Sequence, residues 1–541
     1  MAQGEYQRAL SYYKQSLQRR KVGPHTIDSG GMGLGGANGS PSPPGYVAVT
    51  TYEEAELKYK EGKCYVELED VPNAIRAMEA VPPSLRPLQL NLLLGKVHTS
   101  TGSKASAQRA YRDALKQEPT ALEAIGPLVA LGVGATELKQ LISGGTGTGS
   151  NFALGWVSDL IDGMCSAQAN DFTLAARAFG SLEAQFPSNL PCLLHLGKVH
   201  MSAGRLDDAS YYFTKARISD TLNLDAMDDF ALLIKMRHAE GDSSLLGEPT
   251  PPPPPDGSAS SASQTACAAE LNRLAHDLTS MHPVSRPEPW VTVALYQDAK
   301  GDPDKALSFV NKALTCAPRH TLAHALKGQL LLARGQPDQA IVSYFKAKEL
   351  RRDLSAYKGL VEAYLAANKL REALIIAKEA SSVLHASPGA LTLLGQVLAT
   401  PTTTSADKER AVTLFRRALS LDPTCVEATR SLALLHAAEK RWSEAAEVLN
   451  TTLRCHNANA FLHAQLADVL TSSGQHAEAL AHYHTAMSLN PNHTSAQAGL
   501  ERLEKLMRGA PDEASENGDE DDEDRSEEVS AEGSGNTSQY M

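Results

Sequence analysis

The sequence predicts an all-α chain: a right-handed superhelical solenoid of stacked helix pairs with disordered loops and an acidic C-terminal tail. Three observations carry that expectation. Small and aromatic residues recur with a period near 34 through most of the 541 residues. Aromatics make up only 5% of the chain while alanine and leucine abound, a helical bias. The formal charge of −12 is confined to one end, because Ala510–Met541 hold twelve acids and one arginine and leave −1 for the rest. With 42% apolar and 21% charged residues the body has a globular balance.

The period is read from a register of small residues. From Gly95 the chain runs to His98, Ala107, Tyr111, Ala114 and Pro119. The same offsets return at Gly163/Ala175/Phe179/Pro187, Gly197/Ala209/Phe213/Ala216, Gly328/Ala340/Tyr344/Ala347 and Ala467/Ala479/Tyr483/Ala486/Pro491. Weaker copies stand at Gly62/Ala74/Met78, Ala294/Ala306/Ala313/Pro318, Val361/Ala373/Ala380 and Ala433/Ala445/Leu449. A small residue where two helices cross lets them approach. The aromatic four residues after the second alanine lies on the same helix face and fills the gap. The proline ends the second helix. This pattern resembles the tetratricopeptide repeat, two antiparallel helices that must stack on neighbours to bury their apolar face.

Each segment follows from that register. Residues 1–20 match a second helix, since Ala9, Tyr13 and Ser16 have the offsets of Ala107, Tyr111 and Ala114. Residues 21–50 are a flexible Gly/Ser/Pro loop. Residues 51–240 carry repeats, one of them degenerate near 121–150 because the step from Ala107 to Ala175 is two periods. Residues 241–265, with Pro251–Pro255 and a Ser/Ala run, insert between the two helices of one repeat. Repeats resume over 266–491, with a loop enlarged at Thr400–Thr404. Residues 492–508 suit a capping helix, and 509–541 a disordered acidic tail.

Little in the chain points to chemistry. Gly144–Gly149 lacks the lysine of a phosphate loop. His320 and His324 have the spacing of helical metal ligands, but His320 precedes its helix and no third ligand is evident. His482 and His484, two apart, face different ways. Trp156 and Trp290 open first helices and are expected as core. Pro251–Pro255 reads as a spacer. The seven cysteines are scattered without a Cys-x-x-Cys, as free thiols of a reducing compartment would be. No metal, cofactor or catalytic domain is expected. No basic footprint calls for nucleic acid. No apolar run nears the roughly 18 residues of a membrane span, and no signal peptide opens the chain. The expected working surface is the groove of the first helices. Its candidate lining is Lys198, Gln329, Lys358, Glu362, Gln396 and Arg430, which lacks the Lys/Asn/Arg cluster that grips a peptide carboxylate in chaperone-binding tetratricopeptide modules. Ser40, Ser42 and Thr250 each precede a proline and are candidate phosphorylation sites.

Certain strings are more specific than the period. Arg286-Pro-Glu-Pro-Trp290-Val291 opens one repeat, and Gly359-Leu-Val-Glu-Ala-Tyr-Leu-Ala-Ala-Asn368 runs into Lys369-Leu-Arg-Glu-Ala-Leu374. Leu391-Thr-Leu-Leu-Gly395 leads into the enlarged loop, and the end is acidic. Over its whole length the chain resembles the subunit 7 family of the anaphase-promoting complex. The resemblance implies a non-catalytic scaffold of a multisubunit cullin-RING ubiquitin ligase that controls mitotic progression, present in nucleus and cytoplasm. It implies partners among the sibling tetratricopeptide subunits, subunit 3 first. It also implies helical sequence before residue 1 and self-association through that end, so this chain is expected to begin late and to dimerise weakly. The other readings of the residues are a stand-alone peptide-binding adaptor or co-chaperone, and an acidic-tailed chaperone for basic proteins.

Overall fold

The computed structural model describes residues 2–21, 51–143, 155–240, 259–281, 286–384, 387–400, 404–455, 459–490 and 493–507. Among them are twenty-six α-helices and no strand. Gly144–Gly149, Ser40, Ser42, Thr250, Pro251–Pro255 and the acidic tail lie outside the described residues.

Helix α1 (Ala2–Lys21) stands first. Pairs follow: α2 (Tyr52–Glu67) with α3 (Val71–Glu79), α4 (Leu88–Ser100) with α5 (Lys104–Gln117), α6 (Leu122–Ala130) with α7 (Ala135–Ser143), and α8 (Gly155–Gln168) with α9 (Phe172–Gln185). Next come α10 (Leu190–Ser202) with α11 (Leu206–Ser219), α12 (Met227–Glu240) with α13 (Ala259–Met281), and α14 (Pro287–Ala299) with α15 (Pro303–Cys316). The pairs α16 (Thr321–Ala333) with α17 (Pro337–Leu350) and α18 (Leu354–Ala366) with α19 (Leu370–Val383) complete a compact unit that ends at Ala390. A second unit starts at Leu391, inside α20 (Pro388–Leu398). It continues with α21 (Ser405–Leu421), α22 (Val426–Ala438) paired with α23 (Trp442–Cys455), α24 (Ala460–Ser472) paired with α25 (His476–Leu489), and α26 (Thr494–Met507).

One backbone device makes the hairpins. The first helix ends on a left-handed residue, glycine at 102, 132, 204, 301, 335 and 474, and Glu69, Asn170, Asn368 or Lys440 elsewhere. At Gly102, with φ of 81°, the next amide, Ser103 N–H, donates to the His98 carbonyl at 2.9 Å and closes the helix end. The second helix then starts within one or two residues.

Packing explains the register. A Cβ placed on Gly95 would lie 2.7 Å from the Tyr111 ring, and on Gly197 2.9 Å from Phe213. Only a hydrogen fits between these helices. Gly395 meets Phe415 in the same way, at 2.6 Å, four residues later in sequence than the other copies because the enlarged loop intervenes. Tyr344 is held from two sides, by Gly328 and by Gly359 of the next first helix. Phe179, Phe213, Phe415 and Tyr483 are buried at 1% exposure or less. Fully burying one such side chain contributes about 1.5–3 kcal/mol.

The irregular copies have local causes. In the degenerate repeat Pro127 lies inside α6, where it removes an amide donor, and both helices have only nine residues. Helix α13 starts at Ala259, so residues 259–265, read from the sequence as insertion, are helical. Their Ala/Ser/Gln composition continues into the buried Cys267, Leu271 and Leu274. At the front, α1 packs on α2 with Leu17 buried and Leu10 against the Tyr65–Leu94 core, while Ala9 and Tyr13 are half-buried. At the far end, α26 lays Gly499 on Tyr483, as α18 lays Gly359 on Tyr344. It occupies the place of a further first helix. Trp156 and Trp290 are half-buried at helix starts instead of being core. Trp156 meets Phe186 edge-on, and Trp290 stacks on Phe309 with Lys312 Nζ 5.2 Å above its ring.

Candidate functional site

Several first helices touch the first helix of the next pair, α2 with α4, α6 with α8, α12 with α14, α14 with α16 and α16 with α18, whereas α4 and α6, α8 and α10, and α10 and α12 do not approach as closely. Among second helices only α5 and α7 approach comparably. The first helices therefore converge and define the inner face of the larger unit, and α22, α24 and α26 do so in the smaller one.

A cluster of four charged side chains joins α10, α12 and α16 of the larger unit. Asp228 and Asp229 stand in the first turn of α12. Lys198 of α10 reaches Asp229 at 3.0 Å, and His320, at the start of α16, reaches Asp228 at 3.3 Å. Both carboxylates are largely buried, with side-chain exposures of 8% for Asp228 and 19% for Asp229. Burial pushes the Asp228 carboxyl up, but the His320 hydrogen bond and the charges of His320 and Lys198 outweigh it and hold the group below the usual range. Asp229 is raised, by burial and by Asp228, with Lys198 offsetting part of the rise. Burial lowers His320 and Lys198, yet their acidic partners leave both above their ordinary values. The arrangement is a set of buried ion pairs in which each charge needs its partner.

Lys198 is thus already engaged. Of the other residues read as groove lining, Gln329 and Glu362 are exposed and Lys358 is half-buried on first helices. In the smaller unit Gln396 donates to the Ser431 hydroxyl at 3.0 Å, joining α20 to α22. Arg430 is exposed and lies 5.7 Å over the Phe461 ring of α24. In the larger unit the residues of this set stand on three different helices, α10, α16 and α18. Asp228 and Asp229 had no periodic signal in the sequence, and only the meeting of α10, α12 and α16 singles them out.

The histidines read as a metal-spacing pair part company. His320 faces Asp228, and His324 Nε2 donates to the Pro318 carbonyl at 2.9 Å. Among the described residues no cluster of three His, Cys, Asp or Glu side chains has metal-binding geometry. His482 instead meets His463 ring to ring, with their Nδ1 atoms 3.1 Å apart. The cysteines are all free. No helix among the described residues is long and apolar enough to cross a membrane.

Residues 167–222, 405–460 and 462–493 match models of the tetratricopeptide repeat. The anaphase-promoting complex subunit 7 of Arabidopsis thaliana is 31% identical over 526 residues, 95% of this chain and 87% of that protein. The chain belongs to the anaphase-promoting complex subunit 7 family. The human subunit 7 is 28% identical over 98% of this chain and 87% of its own length, and that of Dictyostelium discoideum 27% over 84% and 75%. The fold is also similar to a crystal structure of an APC/C hetero-tetramer of Cut9 and Hcn1, with a TM-score of 0.55 and 20% identity over 84% of each chain.

Proposed function

We infer that this chain is a non-catalytic scaffold subunit of the anaphase-promoting complex, a cullin-RING-type ubiquitin ligase of the cell cycle. The observation that carries the reading is its relation to subunit 7 proteins along nearly the whole chain, repeats and irregular loops together. Its work is to hold other subunits through protein–protein contacts of a right-handed superhelix, with the bond-making chemistry on other chains. The first partners are sibling tetratricopeptide subunits, subunit 3 foremost, in nucleus and cytoplasm. The hetero-tetramer that the similarly folded Cut9 forms with Hcn1 supports hetero-assembly of this fold within the complex.

The exposed members of the groove set, Gln329, Glu362 and Arg430, are the inner-face residues proposed for such contacts, with Lys358 and Gln396 beside them. Lys198 serves the interior. Ser40, Ser42 and Thr250 are proposed as proline-directed phosphorylation sites, where added negative charge tunes a contact. Affinity purification of the tagged chain from dividing cells tests the reading. Stoichiometric recovery of cullin, RING and sibling tetratricopeptide subunits is expected. Recovery of none of them sinks the assignment, and capture of isolated peptide tails alone favours the adaptor.

A further inference from the structure

The loop that enters α16 does more than connect. His320 Nδ1 accepts the Ala323 amide at 3.2 Å and caps α16. Its Nε2 faces the largely buried Asp228 of α12 at 3.3 Å, past the whole intervening α14–α15 pair. Next to it Arg319 reaches back 219 residues, to the Ser100 carbonyl at 3.3 Å, and also bonds the Thr99 carbonyl. Both carbonyls belong to the last turn of α4, where the helix dipole favours a cation. Pro318 is tied down by His324. Beside Asp228, Asp229 is held by Lys198 of α10.

These bonds differ from the stacking contacts. A repeat ordinarily touches only its neighbours, so its curvature is a sum of small steps. Here one loop ties its own pair to α12, two pairs back, and to the end of α4, six pairs back. We propose that Arg319 and His320 form an intramolecular clasp that fixes the curvature of the larger unit by closing the ends of one arc of inner helices onto each other. With the clasp shut, the inner face between α10 and α16 is filled by the chain's own Lys198, Asp228, Asp229 and His320. The unit then presents its contact surfaces at a fixed spacing. The inference concerns the larger unit alone and stands apart from the ligase assignment. A clasped chain that recovers no ligase subunits would overturn the assignment only.

The test is single-molecule energy transfer on the full chain. Dyes are placed through non-natural residues at the exposed positions Lys104 and Gln339, because the seven free thiols exclude cysteine labelling. The variant Arg319→Ala/His320→Asn keeps a capping acceptor at residue 320 but is too short to reach Asp228. A lower and broader transfer efficiency is expected, with far-UV circular dichroism unchanged. Unchanged efficiency with unchanged dichroism overturns the clasp. If the double variant loses helicity, Arg319→Ala alone decides. Arg319 is exposed and its loss leaves no buried gap, so the single variant must still lower the efficiency, or the proposal falls.

Discussion

Tyr344 shows how little room the helix crossings leave. A Cβ on Gly328 would stand 2.6 Å from its ring, and one on Gly359 2.3 Å. Overpacking of this kind costs about 1–3 kcal/mol. Gly328→Val is therefore expected to lower the stability of the larger unit by roughly 2–3 kcal/mol, and Tyr344→Leu in the same chain to restore part of it. Urea unfolding of the two variants measures both terms. An additive loss in the double variant would show that the ring is not what the glycine accommodates.

Histidines set a second residue-scale expectation. His195 stacks on the Phe179 ring with centroids 4.9 Å apart. Burial, helped by Lys198, lowers its pKa to about 4. The unfolded value is about 6.5, so between these values the unfolded chain binds the extra proton. Stability is then fully present above pH 6.5 and falls as the pH drops toward 4. His200 and His436, also lowered by burial, act in the same direction. His320 is raised and opposes them, its contribution fading as pH rises. His195→Gln is expected to remove on the order of 1–3 kcal/mol of the acid-side loss. Melting temperatures at pH 7.5, 6 and 5 read the difference in slope.

At the scale of elements, the turn between paired helices decides more than either helix. Lys440 adopts φ of 59°, where glycine stands in six equivalent turns. Lys440→Gly is expected to stabilise the smaller unit by about 1 kcal/mol, and Gly204→Ala, at φ of 77°, to destabilise the larger one by a similar amount. Calorimetric scans compare the two directly. Helix α26 closes the smaller unit with Leu503 and Ala496 fully buried. Leu503→Ala is expected to cost roughly 2–4 kcal/mol and to make α25 sensitive to limited proteolysis. A variant as resistant as the parent would show that α25 does not need its cap.

At the scale of the molecule the charge asymmetry matters most. Ala510–Met541 carry a net −11, against −1 for the rest of the chain. Removing residues 509–541 is expected to leave incorporation into the ligase intact. Loss of co-purifying subunits after that truncation would assign the tail a contact of its own. The body, near neutrality, is suited to binding by shape more than by long-range steering.

The sequence alone determined the helix pairs and their period, because steric fit at the strongest crossings allows only a small residue opposite an aromatic one. Gly95 with Tyr111 and Gly197 with Phe213 were legible for that reason. It also determined the family, through strings such as Arg286–Val291 and Gly359–Asn368. The tertiary structure decided what lies outside the period. Helix α13 runs back to Ala259, into the segment read as insertion, and Trp156 and Trp290 are half-buried because a helix's first turn lies at the edge of a stack. Lys198, read as groove lining, is joined to Asp229, and His320, read beside His324, belongs to Asp228. Such pairs join residues from different repeats, up to some ninety positions apart in sequence, and Arg319 reaches farther still, to the end of α4. A local pattern cannot encode them, since they exist only once curvature brings the inner helices together.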